Sequence, residues 1–472
     1  MPPRLLACGS NAASHLSINH PDDVSILTPT IYHPSLPSFS SESQILDLVS
    51  TSAHSLLLIS PSSAGGDRPG KNILLGAGTN TFGQLGPRCA LWNDIKPESK
   101  WKPLNLLNSA EIDDKEEWEP VKIAATWTTS FIVYQRSKSF KARQCESSIG
   151  GSGLNGKIDP IEDQKIEQIV ISCGSNDFGE LGSSSNFPLT LNAPSEIPIS
   201  QASQKPTIVN LGLQPGERIE LIKGGQRHVI VVIVNGDGKQ RVMGWGASRK
   251  GELDAKTLSS CLESDSSSSS MFYSNKGKGK GKGKAVSRST SSPPIAIDLP
   301  ISSKAKIVDI SLGASHNLAL LSDGTVMGWG NNLKNPITDV HTLRNIKSIA
   351  TTWNGSYFLN DQNEVFAQGS NTHSQLLRLG CEEISAKMGK IDIPLGWKVE
   401  KLVVGSEHLL LKLKREETGG ETLWTGGWNE HGNLALGDNN DRPSLERVDL
   451  QGKIKGLWGG CASTWVWIDE QL

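Results

Sequence analysis

Four histidines share a spacing that could indicate chemistry. His54, His228, His316 and His408 each lie between two short apolar runs, in the best cases as Gly-x-x-His. Imidazole is a common zinc ligand, but a zinc site needs ligands that converge on one point. These four occupy one equivalent position in separate copies of a repeat, so we expect them to stay apart. We predict that each fixes the backbone of a neighbouring strand by hydrogen bonding.

Nine glycines also recur at fixed positions, and glycine-rich loops can bind phosphate. A phosphate-binding loop needs a following helix N-terminus, and the sequence suggests none. We therefore predict a structural role, in turns where φ is positive or where a neighbouring strand comes close. These glycines are Gly78, Gly83, Gly174, Gly179, Gly246, Gly330, Gly369, Gly427 and Gly432.

Motifs typical of enzymes are missing from the sequence, which has no G-x-S-x-G, H-E-x-x-H or C-x-x-C. Nothing therefore indicates a nucleophile or a catalytic metal, and we expect no enzyme activity and no cofactor. The seven cysteines are scattered from Cys8 to Cys461. An odd, scattered set favours reduced thiols in the cytosol or nucleus over a disulfide framework.

One turn differs from the others in composition. Within 423–438, which reads L-W-T-G-G-W-N-E-H-G-N-L-A-L-G-D, Trp428, Asn429, Glu430 and His431 follow an apolar strand. An exposed aromatic side chain among hydrogen-bonding groups is typical of the centre of a protein interface. We predict that these four residues bind a partner; the alternative is that Trp428 only packs within the fold.

The elements that must position these residues form a repeat. One half-unit is an apolar strand that ends in Gly, then a polar turn, and often Gly-x-Leu-Gly; the other is the histidine-containing pair of apolar runs. Each occurs seven times in alternation, which supplies about four strands per unit. This predicts an all-β fold with a single seven-bladed β-propeller over residues 1–472. The chain begins and ends midway through a unit, so the N- and C-terminal strands should pair within one blade.

Four polar stretches interrupt the repeat, at 92–119, 136–168, 184–215 and 262–304. The last contains a serine run and the G-K-G-K-G-K-G-K tract Gly277–Lys284. Such sequence cannot offset its ordering entropy by burial, so we predict long disordered insertions, with 262–304 of low complexity. The G-K tract could contact nucleic acid weakly through phosphates, although a solvated linker is the alternative.

The overall charge points to no large charged partner. The formal net charge is −2 over 472 residues, which leaves no global field to attract nucleic acid or an anionic membrane. No apolar stretch is long enough for a membrane helix or a signal peptide. We expect a protein of the cytoplasm, and of the nucleus as well, without a membrane association.

The alternation of G-x-N-x-x-G-x-L-G with G-x-x-H resembles the regulator of chromosome condensation repeat family of seven-bladed propellers. The strongest matches are at 78–86, 174–182 and 313–320, and the likeness covers nearly the whole chain outside the four stretches. Within that family, the W-x-x-G-W-N-E-H-G-N-L run from Trp424 to Leu434 is most similar to the fungal alpha-tubulin suppressor branch.

This resemblance implies a scaffold. Members of that branch are associated with a small zinc-ribbon electron carrier of the diphthamide pathway. Through it they serve diphthamide synthesis on elongation factor 2 and Elongator-dependent modification of tRNA wobble uridines, so Elongator is a further expected partner. The alternatives are a guanine-nucleotide exchange factor for the Ran GTPase, as in the founding member, and a generic ubiquitin-pathway or cytoskeletal adaptor.

Overall fold

The apolar runs of the repeat form antiparallel β-sheets arranged as the seven blades of a propeller. A computed structural model describes residues 4–36, 39, 42–61, 71–87, 97–107, 110, 112, 118–136, 167–183, 205–255, 290–381 and 385–469. These residues contain 27 strands, numbered β1 to β27, and one short 3-10 helix, Val340–Thr342. The predicted seven-bladed all-β fold is confirmed. No helix in the described ranges has the length and apolarity needed to cross a membrane.

Blades I to VI follow one another along the chain, and the first strand of each lies nearest the axis. Blade I comprises β3 (Gln44–Ser50), β4 (His54–Ser60), β5 (Ile73–Gly78) and β6 (Glu98–Pro103); blade II comprises β7 (Trp118–Ala125), β8 (Thr129–Arg136), β9 (Gln168–Gly174) and β10 (Thr207–Val209); blade III comprises β11 (Arg218–Gly224), β12 (His228–Val234), β13 (Gln240–Ala247) and β14 (Thr290–Ala296). Blade IV comprises β15 (Ile307–Leu312), β16 (His316–Leu321) and β17 (Val326–Gly330); blade V comprises β18 (Ile346–Thr351), β19 (Gly355–Asn360), β20 (Val365–Ser370) and β21 (Ser385–Ile391); blade VI comprises β22 (Trp397–Val404), β23 (His408–Arg415), β24 (Glu421–Gly427) and β25 (Arg442–Arg447).

Blade VII closes the ring with strands from both ends of the chain. Its order is β26 (Lys453–Gly460), β27 (Ser463–Asp469), β1 (Arg4–Gly9) and β2 (Val24–Pro29). Strand β1 pairs with β27 over six residues, in the register Arg4 to Ile468 through Gly9 to Ser463. The predicted pairing of terminal strands within one blade is confirmed.

The hydrophobic core lies between the blades. Seven clusters of buried side chains correspond to the seven junctions between neighbouring blades. The second strand of a blade is buried on both faces, as in β12, whose sequence HVIVVIV is buried throughout. Each blade therefore depends on both of its neighbours, because a single sheet would expose two apolar faces to water.

Three of the four polar stretches contain the outermost strand of a blade: β6 lies within 92–119, β10 within 184–215 and β14 within 262–304. Their sequences, ESKWKP, TIV and TSSPPIA, show weak apolar alternation, although Trp101 of β6 is fully buried. The adjacent prolines of β14 fit an edge strand, where a missing backbone donor does little harm. The prediction of disorder is wrong for these three strands. Much of the rest of the four stretches, including the Gly277–Lys284 tract, lies outside the described residues.

Blade IV has three strands in the described residues, whereas the repeat predicts four. The segment that follows β17 contains Pro336 and the 3-10 helix, and it has no apolar alternation. Val340 and Ile337 from this segment pack over Gly328, where the fourth strand lies in the other blades. A turn therefore covers the edge of β17.

One end of the propeller carries two sets of connections in every blade: the turn between the first and second strands, and the loop that follows the third strand. The first residue of each loop donates its N–H to a carbonyl of the turn, at 2.8–3.1 Å in all seven blades. We name this end the loop face, and the connections the inner turns and outer loops. Trp428, Asn429, Glu430 and His431 lie at this end.

Candidate partner-binding face

The four repeated histidines are fully buried links between neighbouring blades. The Nε2 atom of His54 in blade I lies 2.8 Å from Ser130 Oγ in blade II. The same atom of His228 lies 2.6 Å from Asn317 Oδ1, that of His316 lies 3.2 Å from Ser356 Oγ, and that of His408 lies 3.1 Å from Thr464 Oγ1. The histidines stay apart, as the repeat requires. They hold the next blade in place.

The glycine of the Gly-x-x-His motif makes room for the imidazole. A Cβ atom on Gly225, Gly313 or Gly405 would overlap the ring of the histidine three residues later. In blade I this position is Thr51, whose hydroxyl lies 3.0 Å from His54 Nδ1 and so gives the ring a second polar partner. The motif therefore describes packing within the inner turn.

Burial also keeps these rings neutral. Desolvation lowers the pKa of His54 and His316 to about 3 and that of His408 to about 4, and it lowers the pKa of His228 as well. A fifth buried histidine, His15, has its pKa lowered to about 4 for the same reason. A charged imidazole would lose its hydration in these positions.

The nine repeated glycines all have positive φ, between 76° and 132°. Six of them are the last or the penultimate residue of the third strand of a blade, where the backbone passes close to the inner turn. At Gly246, a Cβ atom would collide with the carbonyl oxygen of Arg227. Only glycine permits both the left-handed conformation and this close approach.

Asn429 does not belong to a contact surface, so the prediction that it binds a partner is wrong. Its side chain is fully buried, and its Oδ1 accepts the N–H of Leu434 at 2.8 Å. The same bond to the backbone N–H five residues later forms at 2.8–3.1 Å in five other outer loops, at Asn11, Asn80, Asn176, Asn332 and Asn371. Asn429 is thus a repeat position that shapes the loop, and blade VI has it in common with most others.

Trp428 and His431 form an aromatic cluster on the loop face. Their rings meet edge to face with centroids 5.4 Å apart, and on the other side Trp428 lies 5.9 Å from the ring of His373 in blade V. His431 Nδ1 is 2.7 Å from Asp23 of blade VII, and His373 Nδ1 is 3.4 Å from Asp441. We call these five residues the Trp428 cluster. It spans three blades, and each of its side chains is partly exposed.

Glu430 is exposed beside the cluster, and only its backbone carbonyl has a partner in the described chain, the side chain of Asn439 at 3.0 Å. Its carboxylate is therefore directed to solvent next to Trp428. Beneath the cluster lies Glu407, which is buried and accepts a hydrogen bond from Gln375 at 2.8 Å. Burial raises the pKa of Glu407.

A second aromatic group on the loop face was missed by sequence reasoning. Trp127 in blade II and Trp353 in blade V reach across the axis from opposite inner turns, and their rings meet edge to face at 5.9 Å. The guanidinium of Arg227 lies 5.3 Å from the ring of Trp127 and 4.8 Å from that of Phe178. An aligned comparison of the seven inner turns could have found the pair, because both tryptophans replace small or polar residues of other blades.

The loop face has no metal-binding arrangement: no group of three or more His, Cys, Asp or Glu side chains with suitable geometry occurs in the described parts of the chain. The two histidines of the Trp428 cluster each face a single carboxylate. What the face offers is aromatic surface, paired charges and hydrogen-bonding groups, which is the chemistry of protein recognition.

A family model for the regulator of chromosome condensation (RCC1) repeat matches residues 307–335. This segment is the whole of blade IV with its inner turn and the start of its outer loop, and the other six blades repeat the same geometry. The chain therefore contains a regulator of chromosome condensation repeat within a seven-bladed propeller. Its assignment to the fungal alpha-tubulin suppressor branch stays a prediction.

Three known proteins are similar to this chain in sequence or fold. The ultraviolet-B receptor UVR8 of Arabidopsis thaliana is 30% identical over 171 residues, which cover 33% of this chain and 37% of UVR8. The match thus spans little more than a third of that relative. Human WBSCR16 has the same fold with a TM-score of 0.62 at 15% identity, over 99% of this chain and 100% of that one. Prp20p of Saccharomyces cerevisiae has a TM-score of 0.61 at 15% identity, over 100% of this chain and 92% of that one.

Proposed function

We propose that this repeat-family propeller is a non-catalytic scaffold that binds a partner protein on its loop face, with the Trp428 cluster as one anchor. The observation that carries the proposal is the position of Trp428. The six equivalent loop residues are small or polar, namely Ser10, Thr79, Ser175, Ala247, Asn331 and Ser370. The blade architecture therefore does not need a tryptophan there, and Trp428 stays partly exposed between two carboxylate-paired histidines.

The partner that we propose is a small zinc-ribbon electron carrier. The support is the resemblance of the stretch from Trp424 to Leu434 to the fungal alpha-tubulin suppressor branch. Such a complex would support diphthamide synthesis on elongation factor 2 and Elongator-dependent modification of tRNA wobble uridines. A role in these two pathways would place the protein in the cytoplasm and the nucleus.

A second candidate function is nucleotide exchange on the Ran GTPase. The fold similarity to yeast Prp20p favours it, because that structure is reported with the binding of Prp20p to Gsp1p and histones. At 15% identity the similarity shows the fold alone. The two candidates differ in a measurable activity, since only an exchange factor accelerates nucleotide release.

One titration series tests both candidates. Purified zinc-ribbon protein and nucleotide-loaded Ran are each titrated with the full chain, and the release of a fluorescent nucleotide from Ran is followed in parallel. We expect a one-to-one complex with the zinc-ribbon protein and no acceleration of release. Accelerated release without zinc-ribbon binding would establish the second candidate instead.

A double variant locates the contact. Trp428→Ala with His431→Ala should weaken zinc-ribbon binding about tenfold or more, because truncation of a hot-spot residue at an interface costs about 2 kcal/mol or more. Trp397→Ala is the matched control, since this tryptophan is also partly exposed but begins β22 at the opposite end of the propeller. Equal binding by the double variant, with an unchanged melting temperature, would remove the Trp428 cluster from the interface.

A further inference from the structure

The inner turns surround a cavity at the axis of the loop face. It has a volume of about 220 Å³, and turns from all seven blades line it, with Trp127 and Trp353 among the lining residues. At about 30 Å³ for each water, this space is equivalent to roughly seven waters. One apolar side chain of a partner would fit in it and would displace several of them.

The other five blades show which residues an inner turn needs at the position of the two tryptophans. The five equivalent inner-turn positions in the other blades are Ser52, Gln226, Ala314, Ser406 and Cys461. An inner turn thus forms equally well with a small residue. Trp127 and Trp353 are both partly exposed. Since the fold does not require them, the pair has another use, and aromatic side chains at such positions are frequent anchors in interfaces.

Arg227 adds a directed cation to the pair. Its guanidinium stacks between Trp127 and Phe178, and one nitrogen, Nη1, lies 3.3 Å from Oε1 of Glu180. Glu180 is fully buried, so this contact orients the arginine from below. Arginine has five N–H donors, and no second acceptor for them occurs among the described residues. The free donors can bind a carboxylate in two-point geometry.

The charges of the loop face are divided between its two halves. Among the described residues around blades III and IV, the partly or fully exposed charged side chains include Arg227, Arg249, Lys250 and Lys334, with Asp177, Asp254 and Asp339 at the margin. Around blades VI and VII they are Asp22, Asp23, Glu430, Asp438 and Asp441, with Arg442 paired to Asp438. An acidic segment would therefore be directed to the half near Arg227 and repelled from the half near the Trp428 cluster.

We propose that the axial cavity, the Trp127–Trp353 pair and the basic side chains of Arg227, Arg249, Lys250 and Lys334 form a docking site for an acidic segment of a partner protein. One apolar side chain of the segment enters the cavity against the two indoles, and a neighbouring carboxylate accepts hydrogen bonds from Arg227. This site rests on the proposed scaffold function in using the same face, but it is a second anchor, separate from the Trp428 cluster.

A partner segment fits the cavity better than a second copy of this chain. In a symmetric pairing of two loop faces, each tryptophan pair would meet the other pair over the axis. Both cavities would then stay unfilled, whereas a narrow segment can insert a single side chain. Self-association is accordingly an outcome that the experiment must detect.

The test is differential selection from a random peptide library displayed on phage, with the full-length protein immobilised. Wild type is compared with a Trp127→Ser and Trp353→Ser double variant. Serine is chosen because Ser52 and Ser406 occupy the same position in intact blades. The control for the loss of a partly exposed tryptophan is Trp397→Ser, and melting curves of all three verify folding.

We expect wild type and the control to enrich peptides with several acidic residues around one aromatic or aliphatic residue. The double variant should bind the selected peptides about tenfold or more weakly, and binding should weaken as salt rises. Arg227→Gln and a Lys250→Glu, Lys334→Glu double variant should weaken it as well. Failure to enrich any peptide, enrichment of non-acidic peptides, or equal binding by the tryptophan double variant would each overturn the proposal.

Sedimentation of wild type and the tryptophan double variant completes the test. A wild-type dimer that the double variant converts to a monomer would show that a second copy occupies the site, and this would also overturn the proposal. The outcome is independent of the zinc-ribbon titration. Peptide binding without zinc-ribbon binding would refute the proposed partner and leave the docking site, while the reverse result would refute the docking site alone.

Discussion

His54 Nε2 lies 2.8 Å from Ser130 Oγ across the junction of blades I and II, and the Ser130 hydroxyl donates to the carbonyl of Gln84 at 2.6 Å. Because the hydroxyl proton is used in that second bond, His54 must donate from Nε2. This chain of two hydrogen bonds, which we call a relay, begins at His54 next to the inner turn of blade I. It passes through Ser130 of blade II and ends at Gln84 in the outer loop of blade I. Blades VI and VII repeat it with His408, Thr464 and Asn433.

Removal of a relay histidine should destabilise the whole ring. His54→Ala or His408→Ala deletes a buried hydrogen bond and leaves a cavity between two blades, so the free energy of unfolding should fall by about 2–4 kcal/mol. Chemical or thermal denaturation measures the change. His341→Ala serves as the control, because that side chain is exposed and its effect should stay within about 0.5 kcal/mol. Equal stability of His54→Ala and His341→Ala would refute the structural role.

The stability of the protein should decrease with acid before most carboxylates titrate. In the unfolded chain a histidine binds a proton near pH 6.5, whereas the folded pKa values of His15, His54, His316 and His408 are lowered to about 3–4. Their contribution is therefore fully present above pH 6.5 and is lost as the pH falls from 6.5 toward 4. In that window each of the four histidines should lower the free energy of unfolding by about 1.4 kcal/mol for each pH unit.

Melting temperatures between pH 7.5 and 5 test this linkage. Wild type should show a steady fall below pH 6.5. His408→Asn should show a shallower fall, although it starts from a lower stability. A melting temperature that does not change between pH 7 and 5 would mean that the buried rings take up protons without cost.

The fold could be predicted from the sequence because a propeller repeats its chemistry. Glycines such as Gly174 recur wherever the backbone needs a positive φ, and histidines such as His228 recur wherever a hydrogen bond links two blades. Asn429 shows the limit of this reasoning. Its place in the loop is shared with five other blades, but the flanking Trp428 and His431 made it look like part of a special turn.

The axial pair and the outer strands show two further limits. Trp127 and Trp353 are far apart in sequence, and only closure of the ring brings their rings within 5.9 Å. Outer strands such as β10 carry little apolar alternation, since one side of the strand faces water. Alignment of the seven inner turns could single out the two tryptophans, but their contact and the pairing of the outer strands depend on the closed ring.

Substitutions at two neighbouring positions of one outer loop should distinguish a residue that stabilises the fold from one that is exposed for binding. Asn429→Ala removes the buried acceptor of the Leu434 N–H and should lower the free energy of unfolding by about 1–3 kcal/mol. Glu430→Ala, one residue later, alters an exposed carboxylate and should leave stability within about 0.5 kcal/mol. Thermal melting of the two variants measures the contrast. If Glu430→Ala destabilised the protein as much as Asn429→Ala, the exposed side chain would have a structural partner.

Closure of the ring should depend on strand β1. Deletion of residues 1–29 would leave blade VII with β26 and β27 alone and would uncover the apolar clusters on both of its sides. We expect loss of cooperative melting and aggregation on size-exclusion chromatography, because an exposed strand edge and two open cores favour association. A single substitution in β1 tests the same dependence without removing the strand. Leu5→Asp places a carboxylate in a fully buried position and should cost about 4 kcal/mol or more.

Ile26→Asp is the matched control for Leu5→Asp. Ile26 lies in the outer strand of the same blade and is 62% exposed, so the charge would remain hydrated and the melting temperature should change little. A peptide of residues 1–29 added to the truncated chain should restore a monomer with cooperative melting, since it can pair with β27 in the native register. A truncated chain that melts like wild type without the peptide would show that six blades and half a seventh are sufficient, and the pairing of the chain ends would then contribute nothing to stability.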